Sequence, residues 1–166
     1  MSAVVSVNTL TYTITYVTAK MLLSLKEIIR EIGLNPSTLT EDWSTYENGI
    51  ATWLESRHLQ RVTLEVYDPE TNKLVARWDL DVVYGSTGDG SLWVDIEAIR
   101  YAIAKAGLVP AQCKYDVKLH NKPGRPEVPG WRGCEYRSTD GFRRYAIGAT
   151  IGGNGIGAET AYWRKS

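Results

Sequence analysis

Seven apolar residues, Ile14, Val17, Met21, Leu25, Ile28, Ile29 and Ile32, recur at spacings of three and four, and Gly33 follows the last of them. That period writes an amphipathic helix from Thr13 with a glycine stop. A stripe this long buries only against a second layer, so the rest of the chain must supply one. Before it, Ala3 to Tyr12 is β-branched and polar without a helix period, and is expected to be a strand or extended arm.

The second layer is legible further on. Residues 34–39 contain Pro36 and Ser37 and are expected to loop, after which Thr40 caps a helix with Trp43, Tyr46, Ile50, Trp53 and Leu54 on one face. Arg61 to Asp68 alternates, with Val62, Leu64 and Val66 on one side, and Leu74 to Tyr84 resumes after a Pro69 to Lys73 turn, which makes a β-hairpin. Residues 85–90, GSTGDG, read as a flexible loop, and Asp95 to Ala106 as a third helix carrying Ile96, Ile99, Ile103 and Ala106 and stopped by Gly107. Lys114 to His120 alternates again through Tyr115, Val117 and Leu119, as a strand does. No internal repeat is present.

From Lys122 the character changes. The last 45 residues hold nine of the 15 glycines, three of the six prolines and six of the 17 aromatic residues. So many turn formers oppose regular structure, while Trp131, Tyr136, Phe142, Tyr145, Tyr162 and Trp163 need a surface to pack on. The segment is expected to be a mobile element that docks.

With 166 residues, 43% hydrophobic and 23% charged, the chain is expected to fold as one globular domain. Its 19 basic and 19 acidic side chains remove the broad positive field of a nucleic-acid binder. Residues 1–120 hold 11 basic and 15 acidic groups, and residues 121–166 eight and four, so tail and body are complementary. The tail's charge is read as matching the body, with an acidic partner as the alternative. The absence of a signal peptide and of a spanning apolar stretch predicts a cytoplasmic protein without membrane attachment. Cys113 and Cys134 suit a reducing compartment.

Chemistry-bearing constellations are scarce. Cys113, His120 and Cys134 lack the paired spacing of zinc ligands, and neither cysteine has the surroundings of a nucleophile. Residues 152–157, GGNGIG, depart from phosphate-loop spacing and leave nine residues for the required helix, so a hinge or tight crossing is the better reading. Asp79 and Asp81 share one strand face and are assigned to a solvated outer surface. No catalytic residue, cofactor or metal site is expected.

The order of elements, with the run TYTITYVTAKM (11–21) leading into SLKEIIREIG (24–33), and WLESRHL (53–59) followed by VTLEVY (62–67), resembles bacterial HORMA proteins along nearly the whole chain. The resemblance implies an α+β fold, three helices packed on a mainly antiparallel β-sheet, with an N-terminal arm (1–12), a core (13–121) and a C-terminal safety belt (122–166). It also implies a non-enzymatic signalling adaptor of CBASS anti-phage operons. Such a switch captures a closure-motif peptide under its belt, binds and activates a CD-NTase that makes a cyclic oligonucleotide, and is opened by an AAA+ remodelling ATPase at its N-terminal region. On that reading Trp131, Tyr136, Phe142, Tyr162 and Trp163 hold the belt or line the groove, with Ile99 and Ile103 behind it. Simple core packing is the alternative for each of these side chains. A small α/β enzyme using the hairpin carboxylates, or a structural oligomer, is the remaining functional class, and neither has a positive sequence feature.

Overall fold

The structure, a computed structural model, describes residues 2–85 and 91–165, with residues 2–9 described by their backbone alone. The stripe from Ile14 to Ile29 lies on helix α1 (Ser2–Glu31) and Ile32 just past its end, with Val17, Met21, Leu22, Leu25, Ile28, Ile29 and Ile32 buried. Gly33 closes the helix at φ +99°, and the Leu34 amide donates to the Ile29 carbonyl at 2.9 Å, the wrap expected when a left-handed residue ends a helix.

The extended arm expected over Ala3 to Tyr12 is helical instead. β-branched residues cost a helix only a few tenths of a kcal/mol each, whereas every residue added to an existing helix gains a backbone hydrogen bond. The nucleus at Ile14–Ile32 therefore carries the weak former with it.

A second departure follows Gly33. Part of the expected loop forms a short helix α2 (Ser37–Glu41), and the next helix is α3 (Trp43–Glu55). Thr40 is no cap: its hydroxyl donates to the Ser37 carbonyl from inside α2, at 3.1 Å. α3 packs on α1 and buries Ile50, Trp53 and Leu54.

The strands are β1 (Leu59–Tyr67), β2 (Leu74–Tyr84), the short β3 (Trp93–Val94), β4 (Lys114–Asn121), β5 (Phe142–Gly152) and β6 (Ile156–Lys165). Helix α4 (Ile96–Ala106) lies between β3 and β4, with the Asp95 carboxylate accepting from the Ala98 amide at 3.0 Å as its cap. Residues 86–90 of the expected glycine-rich loop lie outside the described residues. All pairings are antiparallel, in the order β3-β5-β6-β2-β1-β4. Nearly half of the tail is therefore regular, because β6 pairs along β2 from Arg77 to Tyr84 and β5 along β6.

The GGNGIG run is the turn of that hairpin and not a hinge or crossing. Gly155 sits at φ +85°, and a Cβ on Gly153 would stand 2.6 Å from the Ile156 carbonyl oxygen, so side chains are excluded on steric grounds.

Strand alternation gives the sheet two unlike faces. Val62, Leu64, Val66, Trp78, Leu80, Val117 and Tyr162 join the helices in the apolar core. On the other face Thr63, Glu65, Arg77 and Asp79 are polar yet buried. This corrects the solvated surface expected for the hairpin carboxylates. Asp79 has no exposed area: it accepts from Thr63 Oγ1 at 2.8 Å, Arg77 Nε at 2.9 Å and Trp163 Nε1 at 2.9 Å. Asp81 remains partly accessible but pairs with Arg61 at 2.6 Å and Arg144 at 2.5 Å. Period-two alternation assigns these residues to the side away from the helices, but it carries no information about what covers that side.

Candidate functional site

β4 is an edge strand, so one row of its backbone N–H and C=O groups has no strand partner among the described residues. Open edges are templates for pairing unless something guards them. Here residues 122–141 form a strap that leaves the end of β4, crosses to α3, returns over the edge and reaches the polar face. Two clasps hold it.

The first clasp is apolar and sits on α3. The Trp131 ring meets Tyr46 and Trp53 edge-on, at centroid distances of 5.7 and 5.5 Å, and its Nε1–H donates to the Thr45 carbonyl at 3.0 Å. Trp53 donates in turn to the Pro126 carbonyl at 2.7 Å, and Val128 of the strap is buried in the core cluster. Gly49 admits the indole, since a Cβ there would stand 2.5 Å from Trp131 Nε1.

The second clasp is ionic and grips the opposite face. Glu65, fully buried, accepts from the Arg137 backbone amide at 2.8 Å, from Arg137 Nη1 at 2.8 Å and from Lys118 Nζ at 2.6 Å. Arg137 also reaches Asp116 at 2.9 Å and Asn72 at 3.0 Å, and lies 3.7 Å over the Tyr67 ring. Lys118 donates to the Glu135 carbonyl at 2.6 Å. Tyr136 covers the Arg77 guanidinium at 4.1 Å and meets Thr63 Oγ1 at 3.3 Å. A carboxylate taken out of water is tolerable because charge-assisted donors surround it, and losing one of them would leave an uncompensated charge.

Between the clasps, residues 132–135 are exposed and span the β4 edge. The space beneath them is a cleft of about 910 Å³ lined by residues 115–121 of β4, by Thr45 and Tyr46 of α3, and by strap residues including Arg125, Trp131 and Cys134. Asn121 lines it where β4 passes into the strap; both polar atoms of its carboxamide are buried without a hydrogen-bond partner among the described residues. A free strand edge inside a closed ring offers main-chain hydrogen bonds to an extended peptide, with side-chain pockets on either side.

The family model described as Bacterial HORMA domain 2 matches residues 1–166. The chain is a bacterial HORMA domain. Among curated proteins none matches its sequence. Solved structures share the fold at low identity. A chain of a mitotic checkpoint complex superposes with TM-score 0.72 at 10% identity, covering 90% of this chain and 97% of its own. C. elegans HTP-1, solved bound to the HIM-3 closure motif, gives 0.69 at 11%, covering 89% and 88%. A chain of the E. coli MS115-1 CdnC:HORMA-deltaN complex gives 0.62 at 12%, covering 94% and 89%.

In this HORMA domain the residues singled out from the sequence separate into three groups. Trp131 and Tyr136 belong to the two clasps, and Trp131 lines the cleft. Phe142 and Trp163 lie on the hairpin: Phe142 opens β5 opposite Lys165, and Trp163 donates to Asp79 on the polar face. Tyr162, Ile99 and Ile103 are core, Tyr162 stacking on Tyr145 at 5.2 Å and the isoleucines buried on α4, which packs on α1, β5 and β6. None of these three lines the cleft.

Sequence reasoning missed the ionic clasp, because nothing local distinguishes Arg137 from 18 other cations or marks Glu65 as buried. Trp53 lies in the core, as its helical spacing predicts, but its indole N–H also ties the strap. Cys113 is buried and Cys134 exposed, both as free thiols, with burial pushing the Cys113 thiol upward. Among the described residues no cluster of His, Cys, Asp and Glu suits a metal, and no helix is long and apolar enough to cross a membrane.

Proposed function

We propose that this HORMA domain is a switch that captures an extended closure-motif peptide between β4 and its belt, and in that closed state binds and activates a CD-NTase in anti-phage defence. The observation that carries the reading is the doubly clasped strap around an unpaired strand edge. Within the belt of residues 122–166, the strap encloses the guest and the β5–β6 hairpin anchors it to the sheet. HTP-1 bound to a closure motif and the CdnC complex, both of this fold, supply the two partner classes.

The reading is of a non-enzymatic adaptor in the cytoplasm. Opening requires both clasps to release together, which favours slow exchange of guest and gives a motor something to accelerate. An AAA+ ATPase engaging residues 1–12 would serve as that motor.

Co-expression of the native chain with a CD-NTase drawn from its own genome tests the proposal. The expected outcome is a stoichiometric complex with raised synthesis of cyclic oligonucleotide, both weakened at least tenfold by the double variant Trp131→Ala, Arg137→Ala. A folded native chain that neither binds nor stimulates that enzyme would remove the adaptor reading.

A further inference from the structure

The cleft is electrically polarised along β4. Near the beginning of the strand lie Asp42 and Asp116, close enough to raise the Tyr46 phenol, after burial, together with Tyr115. Asp116 is already occupied by Arg137. At the far end, where β4 becomes the strap, the lining carries Lys122 and Arg125, and Arg132 stands on the crossing segment. None of these three cations has a salt-bridge partner among the described residues, in contrast to Lys118, which Glu65 neutralises. Glu127 and Glu135 of the strap do not line the cleft.

Backbone pairing to a strand edge is indifferent to sequence, so selection falls to side chains met along the way. Two or three unsatisfied cations gathered at one end of a cleft attract anions and repel basic residues. Resting on the peptide-capture reading above, we infer that the guest is an extended peptide whose segment over the Lys122–Arg125 end of β4 is acidic. Lys122 and Arg132 are its charge-selecting residues. Both are exposed, so neither is needed for folding. Arg125 also lies 4.8 Å from the Trp53 ring, and its stem has a structural share.

A phage-displayed library of random twelve-residue peptides, panned against the full native chain, reads the preference directly. The expected result is enrichment of peptides with Asp or Glu clustered toward one end. Converting those carboxylates to amides should weaken binding about tenfold, as expected of a few partly screened rim pairs, and most of the difference should vanish at 1 M NaCl. The variant Lys122→Glu, Arg132→Glu, verified as folded by its thermal melt, should invert the preference and enrich basic sequences. Enriched peptides that are neutral or basic on the native chain would overturn the charge inference while leaving peptide capture standing. Enrichment of no sequence would remove both. Displacement of the acidic peptides by an equal concentration of a twelve-nucleotide oligothymidylate would reassign the cationic end to nucleic acid and overturn the proposal.

Discussion

Asp79, as fully buried as Glu65, gathers a dense set of partners on the polar face of the sheet. Besides its three hydrogen bonds it stands 3.7 Å from Arg144 and 3.9 Å from Arg61. Replacing it with alanine leaves Arg77, itself nearly buried, without its partner, and should cost about 3–5 kcal/mol. A thermal melt should fall by roughly 6–20 °C, at about 2–4 °C per kcal/mol for a chain of this size. Tyr84 gives a second prediction. Burial pushes its phenol up to about 12, with the Arg57 charge acting the other way. The unfolded chain releases that proton from its ordinary value of 10.0, and the folded chain holds it. Stability from this group is complete below pH 10 and is lost as pH rises toward 12; with Tyr84 half-exposed, about 1 kcal/mol survives the discount for solvent. Tyr84→Phe should flatten the alkaline unfolding profile over that window, read by urea midpoints at successive pH values.

At the scale of elements, the strap depends on a glycine in a different element. Alanine at position 49 would raise the intrinsic helix propensity of α3 by about 1 kcal/mol, yet its Cβ would drive into the Trp131 indole. Gly49→Ala should therefore release the apolar clasp while the body keeps its circular dichroism. Limited trypsin digestion should then cut after Arg132, which no proline follows, at least several-fold faster than in the native chain. An unchanged cleavage rate would mean that Trp131 repacks without loosening the strap. The elements themselves were legible where periodicity was strong: the α1 stripe, the β1–β2 hairpin and α4 stand within a few residues of their expected bounds. The first twelve residues were not, because a helix propagates into them from outside. Residues 37–41 were not, because a helix that short has too few residues for a period to be read.

For the whole molecule, the tail divides into two parts with different duties. Residues 142–165 cover β2 as a hairpin, while residues 122–141 only encircle β4. Truncation before Phe142 would strip β5 and β6 from the sheet and expose the β2 edge, so it should abolish folding and not merely peptide capture. Opening the strap alone should leave the sheet intact. Hydrogen exchange distinguishes these: amides of β1, β2 and β6 should share the slowest, global rate, whereas residues 122–141 exchange faster and slow at least tenfold when a guest peptide is added.

The amphipathic period, the alternating strands and the glycine- and aromatic-rich tail are properties of neighbouring residues, and the chain alone determined them: one α+β domain with something to wrap. Where each of those aromatic residues packs was decided only by tertiary structure. Trp131 and Tyr162 are alike in sequence terms, yet one closes the strap on α3 and the other fills the core. The same holds for Glu65 and Arg137, 72 residues apart, whose pairing depends on strand order and on which face is covered. Burial and long-range charge pairing are set by contacts between distant segments, and local spacing carries no record of them.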